Sequence, residues 1–189
     1  MDVHRHIELL RQRPRSLHEL ACQTGCVGWQ FLPIERLTAR HVVQRCGPTP
    51  SDLLSAAGRA ALWDAGAARR ICDVLARLTR VRRDEFIDRA ITQFVHTLAI
   101  ELLKKQLDDQ ADPDELDLSP VATELVRNAL AGGNDRLRVR LALKRPLVGI
   151  GAPVHCFLPA AAALLETEAV IPPDADVANA IGAQVGEPF

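Results

Sequence analysis

The run Asp84–Leu107 constrains the architecture more than any other part of the chain. Phe86, Ile87, Ala90, Phe94, Leu98 and Leu102 recur along it at helical spacing. Asp84 and Glu85 lie at its start and Lys104 and Lys105 near its end, the charge order that complements a helix dipole. The spacing therefore predicts a long helix whose apolar stripe must be covered by neighbours. Two neighbours are at hand. Ala65–Leu78 puts Ala68, Ile71, Val74, Leu75 and Leu78 on one stripe. Thr49-Pro50-Ser51-Asp52 supplies a capping residue and a first-turn proline ahead of Leu53, Leu54, Ala57 and Ala61. Residues 49–115 are expected as a helical bundle, running out into an acidic, solvated linker at Asp108–Asp117.

Residues 1–48 have a different texture. Val3–Gln12 reads as a short helix broken at Pro14, Ser16–Gln23 as a second and Leu32–Ala39 as a third, with His41–Arg45 extended before Gly47-Pro48. Ser16 with Glu19 three residues on is a capping box, and Gly25 stands where a helix ends.

Residues 116–189 change period. Pro120–Leu130 is helical and is stopped by Gly132-Gly133-Asn134. Leu137, Val139 and Leu141 then alternate with Arg138, Arg140 and Ala142, a period of two that predicts a strand. Pro146–Ile150 reads as a short strand entering Gly151, followed by helix His155–Leu165, strand Ala169–Ile171 and helix Val177–Val185. That order implies α/β layering with a parallel strand pair. The fold class expected for the whole chain is α/β with a large helical part.

Composition removes several function classes. A net charge of −1 and a pI near 6.6 leave no global field to recruit nucleic acid or anionic membrane. With no Tyr and 4% aromatics, base-stacking platforms are poorly supplied. No apolar run approaches the roughly 20 residues that span a bilayer. The opening MDVHRHIELLRQRPR lacks a signal-peptide core. Five cysteines, an odd number, fit free thiols in a reducing compartment, so a cytoplasmic location is expected.

The chemistry-bearing segment is Leu147-Val-Gly-Ile-Gly-Ala-Pro-Val-His-Cys-Phe-Leu-Pro159 with Val170-Ile-Pro-Pro-Asp-Ala-Asp-Val-Ala-Asn-Ala-Ile-Gly-Ala183. It resembles the carboxy-terminal end of the hydantoinase/oxoprolinase family, whose members have the actin-like (ribonuclease H-like) ATPase fold. Upstream, Gly47-Pro-Thr-Pro-Ser-Asp52, Leu62-Trp63-Asp64 and Ala67-Ala68 are similar to a stretch of longer members. The resemblance implies that Gly149, Gly151, Ala152 and Pro153 form a turn beside the adenosine of ATP. A glycine pair between a strand end and a helix start also lets a ligand approach backbone N–H groups closely.

The family's Asp-Thr-Gly-Gly and His-Ser-x-Gly-x-Gly-Gly phosphate loops do not occur here. Without them a chain cannot position a γ-phosphate and Mg²⁺. The chain is therefore expected to act with the remainder of an enzyme or with a partner subunit, and to be inactive alone. The complete enzyme would use ATP and Mg to open a cyclic amide; a ketone destined for carboxylation is a neighbouring substrate class.

A second resemblance sits at the amino end. Ser16-Leu-His-Glu-Leu-Ala-Cys-Gln-Thr-Gly25, Leu32–Ala39 and His41-Val-Val-Gln-Arg45 are similar to a winged helix-turn-helix, with the last run as the start of a wing. Arg residues at 5, 11, 13, 15, 36, 40 and 45 face Asp2, Glu8, Glu19 and Glu35, a mild local positive surplus. The expected second helix offers only Glu35, Arg36 and Arg40 beyond its apolar residues, so the module suits DNA or a protein partner.

Other side chains carry alternatives. His4, His6, His18, Cys22 and Cys26 read either as a metal cluster or as buried thiols and surface histidines. Cys72 and Cys156 fall on apolar stripes and read as core. His155 could donate to a phosphate or stand as a polar first-turn group. Asp174 and Asp176 read as helix-start residues. Asn179 either reaches a nucleotide cleft or is incidental to close packing through Ala178, Gly182 and Ala183.

Overall fold

Ser16 opens the second helix by accepting a hydrogen bond from Glu19 N at 3.1 Å, and Gly25 closes it in the left-handed region at φ 71°. These are the helix ends that the sequence marks. The computed structural model describes residues 3–61, 64–151 and 153–185, the side chains of Asn179 and Val185 excepted. Leu62, Trp63 and Ala152, each part of an expected motif, lie outside the described residues. The chain divides into two compact units, Met1–Gly47 and Pro48–Phe189.

The first unit contains α1 (Val3–Gln12), α2 (Leu17–Thr24), a 3-10 turn at Trp29–Phe31 and α3 (Ile34–Ala39). Leu20, Ala21, Leu32 and Ile34 form its core, with Leu9, Leu10 and Leu17 packed against it. The expected wing does not form. His41 N donates to Thr38 O at 2.9 Å and Val42 N to Leu37 O at 3.0 Å. These donors close the end of α3, and the following residues to Thr49 are not strand. The unit is trihelical.

The second unit begins with α4 (Pro50–Ala56), α5 (Ala65–Thr79) and α6 (Arg83–Leu107). Thr49 and Asp52 form a reciprocal capping box at the start of α4. Asp64 caps α5 by accepting from Ala67 N at 3.0 Å. The face that α5 buries differs from the expected one. Ala68, Cys72 and Ala76 turn inward, while Ile71, Val74 and Leu78 are exposed by 37%, 49% and 75%. Small side chains let α5 lie close against α4 and α6, and the larger ones then occupy the outer surface.

The rest comprises α7 (Glu115–Leu118), α8 (Pro120–Leu130), β1 (Leu147–Val148), α9 (Val154–Leu164), β2 (Ala169–Val170), a 3-10 turn at Ala175–Val177 and α10 (Ala178–Val185). One cluster joins Leu54, Val95, Ala99, Val126, Leu130, Phe157, Ala161 and Leu165. Residues from the expected bundle and from the expected α/β segment thus share a core. Phe94 meets Phe157 edge-to-face, with ring centroids 4.6 Å apart.

Two further expectations are corrected here. Residues 137–141 are not strand, and Leu137 is exposed in a turn with Asn134; the inward residues are Leu141 and Leu143, and Leu143 N donates to Leu165 O at 3.0 Å. Leu141 and Leu143 lie against the core, so the period of two reports burial there without a strand neighbour. The acidic linker is not uniformly solvated. Leu116 packs on the core, and Asp117 accepts from the nearly buried Lys104 at 2.6 Å. That hydrogen bond, and then the Asp117 charge, hold the Lys104 pKa above its usual value against the opposing effect of burial.

Candidate functional site at the carboxyl ends of the parallel strands

β1 and β2 run parallel, with Leu147 opposite Ala169 and Val148 opposite Val170. Leu147 N donates to Glu168 O at 2.8 Å and Gly149 N to Val170 O at 2.9 Å. The expected parallel pair is present, joined by α9 as a crossover. Two loops therefore leave the same end of the sheet, residues 149–153 after β1 and 171–174 after β2. In open parallel α/β sheets this carboxyl end is where ligands bind.

The loops are tied together. Gly151 N donates to Ala175 O at 2.7 Å, and Val154 N returns to Gly151 O at 3.2 Å. His155 Nε2 lies 3.7 Å from Asp176 Oδ1, a second link between the turn after β1 and the one after β2. Both side chains are exposed, which agrees with reading His155 as a polar first-turn group. Asp174 takes the position before the 3-10 turn, but its side chain makes no capping bond.

The two glycines serve different ends. A Cβ at Gly149 would overlap the Val154 and Leu158 side chains, so the missing side chain lets α9 close on the strand end. Gly149 is itself buried and its N–H belongs to the ladder. Gly151 has φ +107°, which only glycine adopts readily, and open space where a Cβ would stand. Of the expected turn, Gly151 and Pro153 face the outside and Gly149 faces inward. The N–H groups of both glycines are already spent on carbonyls within the fold. At Gly151 the turn leaves room for close approach of a ligand to the backbone.

The other candidates are more dispersed. Cys156 is exposed, not core, because α9 buries Phe157, Leu158, Ala161 and Ala162 instead. Cys72 is fully buried, as expected. Its thiol is pushed up by burial and then by the negative charges of Asp73 and Asp52. His6 is buried and Cys22 exposed, the reverse of the simple expectation. His18 Nε2 lies 3.7 Å from Cys22 Sγ. Among the described residues no group of three or more His, Cys, Asp and Glu could hold a metal. Gly182 has open space beside it among the described residues, so it makes no close helix contact there.

In the first unit, Leu17, Trp29, Pro33, Ile34, Arg36 and Arg45 help line a cavity of about 300 Å³. Trp29, in its lining, is more than half exposed, a pairing of aromatic and basic groups that the helical pattern alone does not reveal.

Fold and site together define a helix-rich α/β protein with a small parallel sheet. Comparison with protein-family models, curated proteins and solved structures finds no match for the chain. No helix among the described residues is long and apolar enough to cross a membrane.

Proposed function

We propose that this chain is the carboxy-terminal portion of an ATP-dependent hydantoinase/5-oxoprolinase-like cyclic-amide hydrolase and contributes the adenosine side of its nucleotide site. The observation that carries the reading is the bare side of the parallel sheet. Val148 and Val170 are register partners, yet they are 66% and 40% exposed. Parallel sheets are ordinarily covered on both faces, and two short strands alone are marginal. A sheet of this kind suits the end of a larger α/β domain, as in the actin-like ATPase fold that the Gly149–Pro153 and Ala178–Ala183 segments resemble. The open small-residue face of α10 fits the same reading.

Within it, Gly149 sets the approach of α9, while Gly151, Ala152 and Pro153 lie beside the adenosine. ATP supplies the phosphoryl group that activates a poorly electrophilic amide carbonyl. The phosphate and Mg contacts belong to glycine-rich loops outside this sequence, and the working location is cytoplasmic. The test joins the chain to a segment bearing both loop types and measures ATP hydrolysis with and without hydantoin or 5-oxoproline. The joined protein should hydrolyse ATP in a substrate-dependent manner, Gly151→Val should weaken ATP binding, and the 189-residue chain alone should be silent. Substrate-dependent hydrolysis by the isolated chain, or none by the joined protein, rejects the proposal.

A second reading rests on Trp29, more than half exposed in the same cavity as Arg36 and Arg45 in the first unit. These residues suit a DNA- or protein-binding module. The six-residue α3 buries Ile34 and Leu37 and so has little surface for a groove. A gel-shift titration against salt tests DNA, which requires affinity to fall steeply as salt rises.

A further inference from the structure

The cavity of the first unit carries charges that the fold itself leaves unused. It measures about 300 Å³, the lower end of the range for small-molecule sites. Leu32 and Ile34, both part of the core of that unit, give it an apolar floor. Trp29 stands in the lining with 55% of its surface open. A 3-10 turn holds it there, with Phe31 N donating to Gly28 O and Leu32 N to Trp29 O, both at 3.1 Å. An indole left this open offers a stacking surface to a planar ring.

Arg36 and Arg45 line the same cavity, one from α3 and one from the segment after it. Both are exposed, and neither forms an ion pair or a side-chain hydrogen bond among the described residues. By contrast, Arg11 pairs with Glu8, and Arg13 and Arg15 pair with Glu19. Glu35 also lines the cavity but pairs with neither Arg36 nor Arg45. Two unneutralised guanidinium groups match the roughly double negative charge of a phosphate monoester better than the single charge of a carboxylate. Their planar donor forks also fit phosphate oxygens.

We propose that this cavity binds one nucleotide unit, with its phosphate on Arg36 and Arg45 and its base on Trp29. Glu35 then serves as an acceptor for an amino group on the base edge. One aromatic side chain serves one base, so the scarcity of aromatics in the chain is no obstacle. The proposal rests on the residues of the second reading and names their ligand. It is independent of the ATP-dependent activity proposed for the second unit.

Isothermal titration calorimetry of the 189-residue chain with adenosine monophosphate tests it. Binding with a dissociation constant of about 1 mM or tighter is expected. Arg36→Gln and Arg45→Gln should each weaken it about tenfold or more, the effect of losing a charged hydrogen bond. Trp29→Ala should weaken it by a similar factor through lost stacking, and should leave the affinity for inorganic phosphate unchanged. All three side chains are exposed, and circular dichroism checks that the variants stay folded. An oligoadenylate with a terminal phosphate is titrated alongside; the tighter of the two shows whether the unit is a free nucleotide or a strand end. No heat from either at millimolar ligand overturns the proposal. So does binding that the three substitutions leave unchanged, which would place the nucleotide elsewhere, for example at the Gly151 turn. A gel shift with duplex DNA but no mononucleotide binding rejects this proposal and sustains the second reading. Mononucleotide binding without a gel shift removes DNA from that reading and sustains the proposal.

Discussion

Arg140 grips Glu166 through two parallel hydrogen bonds, Nε to Oε1 at 2.6 Å and Nη2 to Oε2 at 2.7 Å. The pair fastens the segment before β1 to the turn that follows α9. The Arg140 hydrogen bond is the main reason that the Glu166 carboxyl lies below its usual pKa; burial opposes it and the Arg140 charge adds to it. A depressed carboxyl stabilises the fold above its unfolded pKa and loses that contribution as pH falls through the lower folded value. Glu166→Gln should therefore melt below wild type at neutral pH, and the two melting curves should converge as pH falls below the ordinary carboxylate range and through the lower folded value. Added salt should shrink the neutral-pH gap, because both side chains are partly exposed. A gap that ignores pH would show that the ion pair contributes nothing.

The two glycines of the turn can be told apart by stability. Gly149→Ala places a methyl group inside the Val154 and Leu158 side chains and should cost about 1–3 kcal/mol through overpacking. Gly151→Ala meets no neighbour but holds a side chain at φ +107°, for about 1–3 kcal/mol of backbone strain. Adding Val154→Ala should recover part of the first loss and none of the second. Urea unfolding of the single and double variants measures this, and equal responses to Val154→Ala would contradict the assignment.

Arg15 is the polar centre of the first unit. Its side chain is only 6% exposed, donates to Leu9 O at 2.9 Å and reaches Gln12 and Glu19. Arg15→Met keeps most of the apolar stem but removes the donor to the Leu9 carbonyl and to Gln12, while Glu19 keeps Arg13. The expected loss is about 1.5–3 kcal/mol, the range for hydrogen bonds involving a charged group. Hydrogen exchange should show faster opening in α1 and α2 and no change in α6. Uniform acceleration in both units would count against a local role.

Thiol labelling separates the cysteines by burial. Cys22, Cys46 and Cys156 are exposed, so each should react with an alkylating reagent in the native protein. Cys72 should react only on unfolding, since it is buried and its thiolate is disfavoured by its surroundings and by two nearby carboxylates. Mass spectrometry of labelled peptides reads this directly, and native labelling of Cys72 at the rate of Cys156 would be inconsistent with the packing of α5.

Helix ends were the most legible part of the sequence, because capping is local. Ser16, Gly25 and Thr49 act within three or four residues of where they stand; Asp64 and Ser119 cap α5 and α8 in the same local way but were not read from the sequence. Which face a helix buries was less legible. For α5, the larger residues suggested one stripe, and close approach by α4 and α6 selected Ala68, Cys72 and Ala76. Period-two patterning at 137–141 pointed inward correctly at Leu141 but not at Leu137, and it needed no ladder. At the candidate site, the glycine turn and the parallel strands could be read from spacing and order. The inward role of Gly149 could not, since it depends on how closely Val154 and Leu158 return to the strand end.

Helix α9 has a further consequence. Phe157 on one side of it is locked edge-on to Phe94 of α6, and Val154 and Leu158 close over Gly149. The loop after β1 therefore hangs from a helix already anchored in the bundle. Heat should not melt the parallel strands ahead of α4–α6; calorimetry of residues 48–189 should give one endotherm in which the glycine turn and the helices let go together.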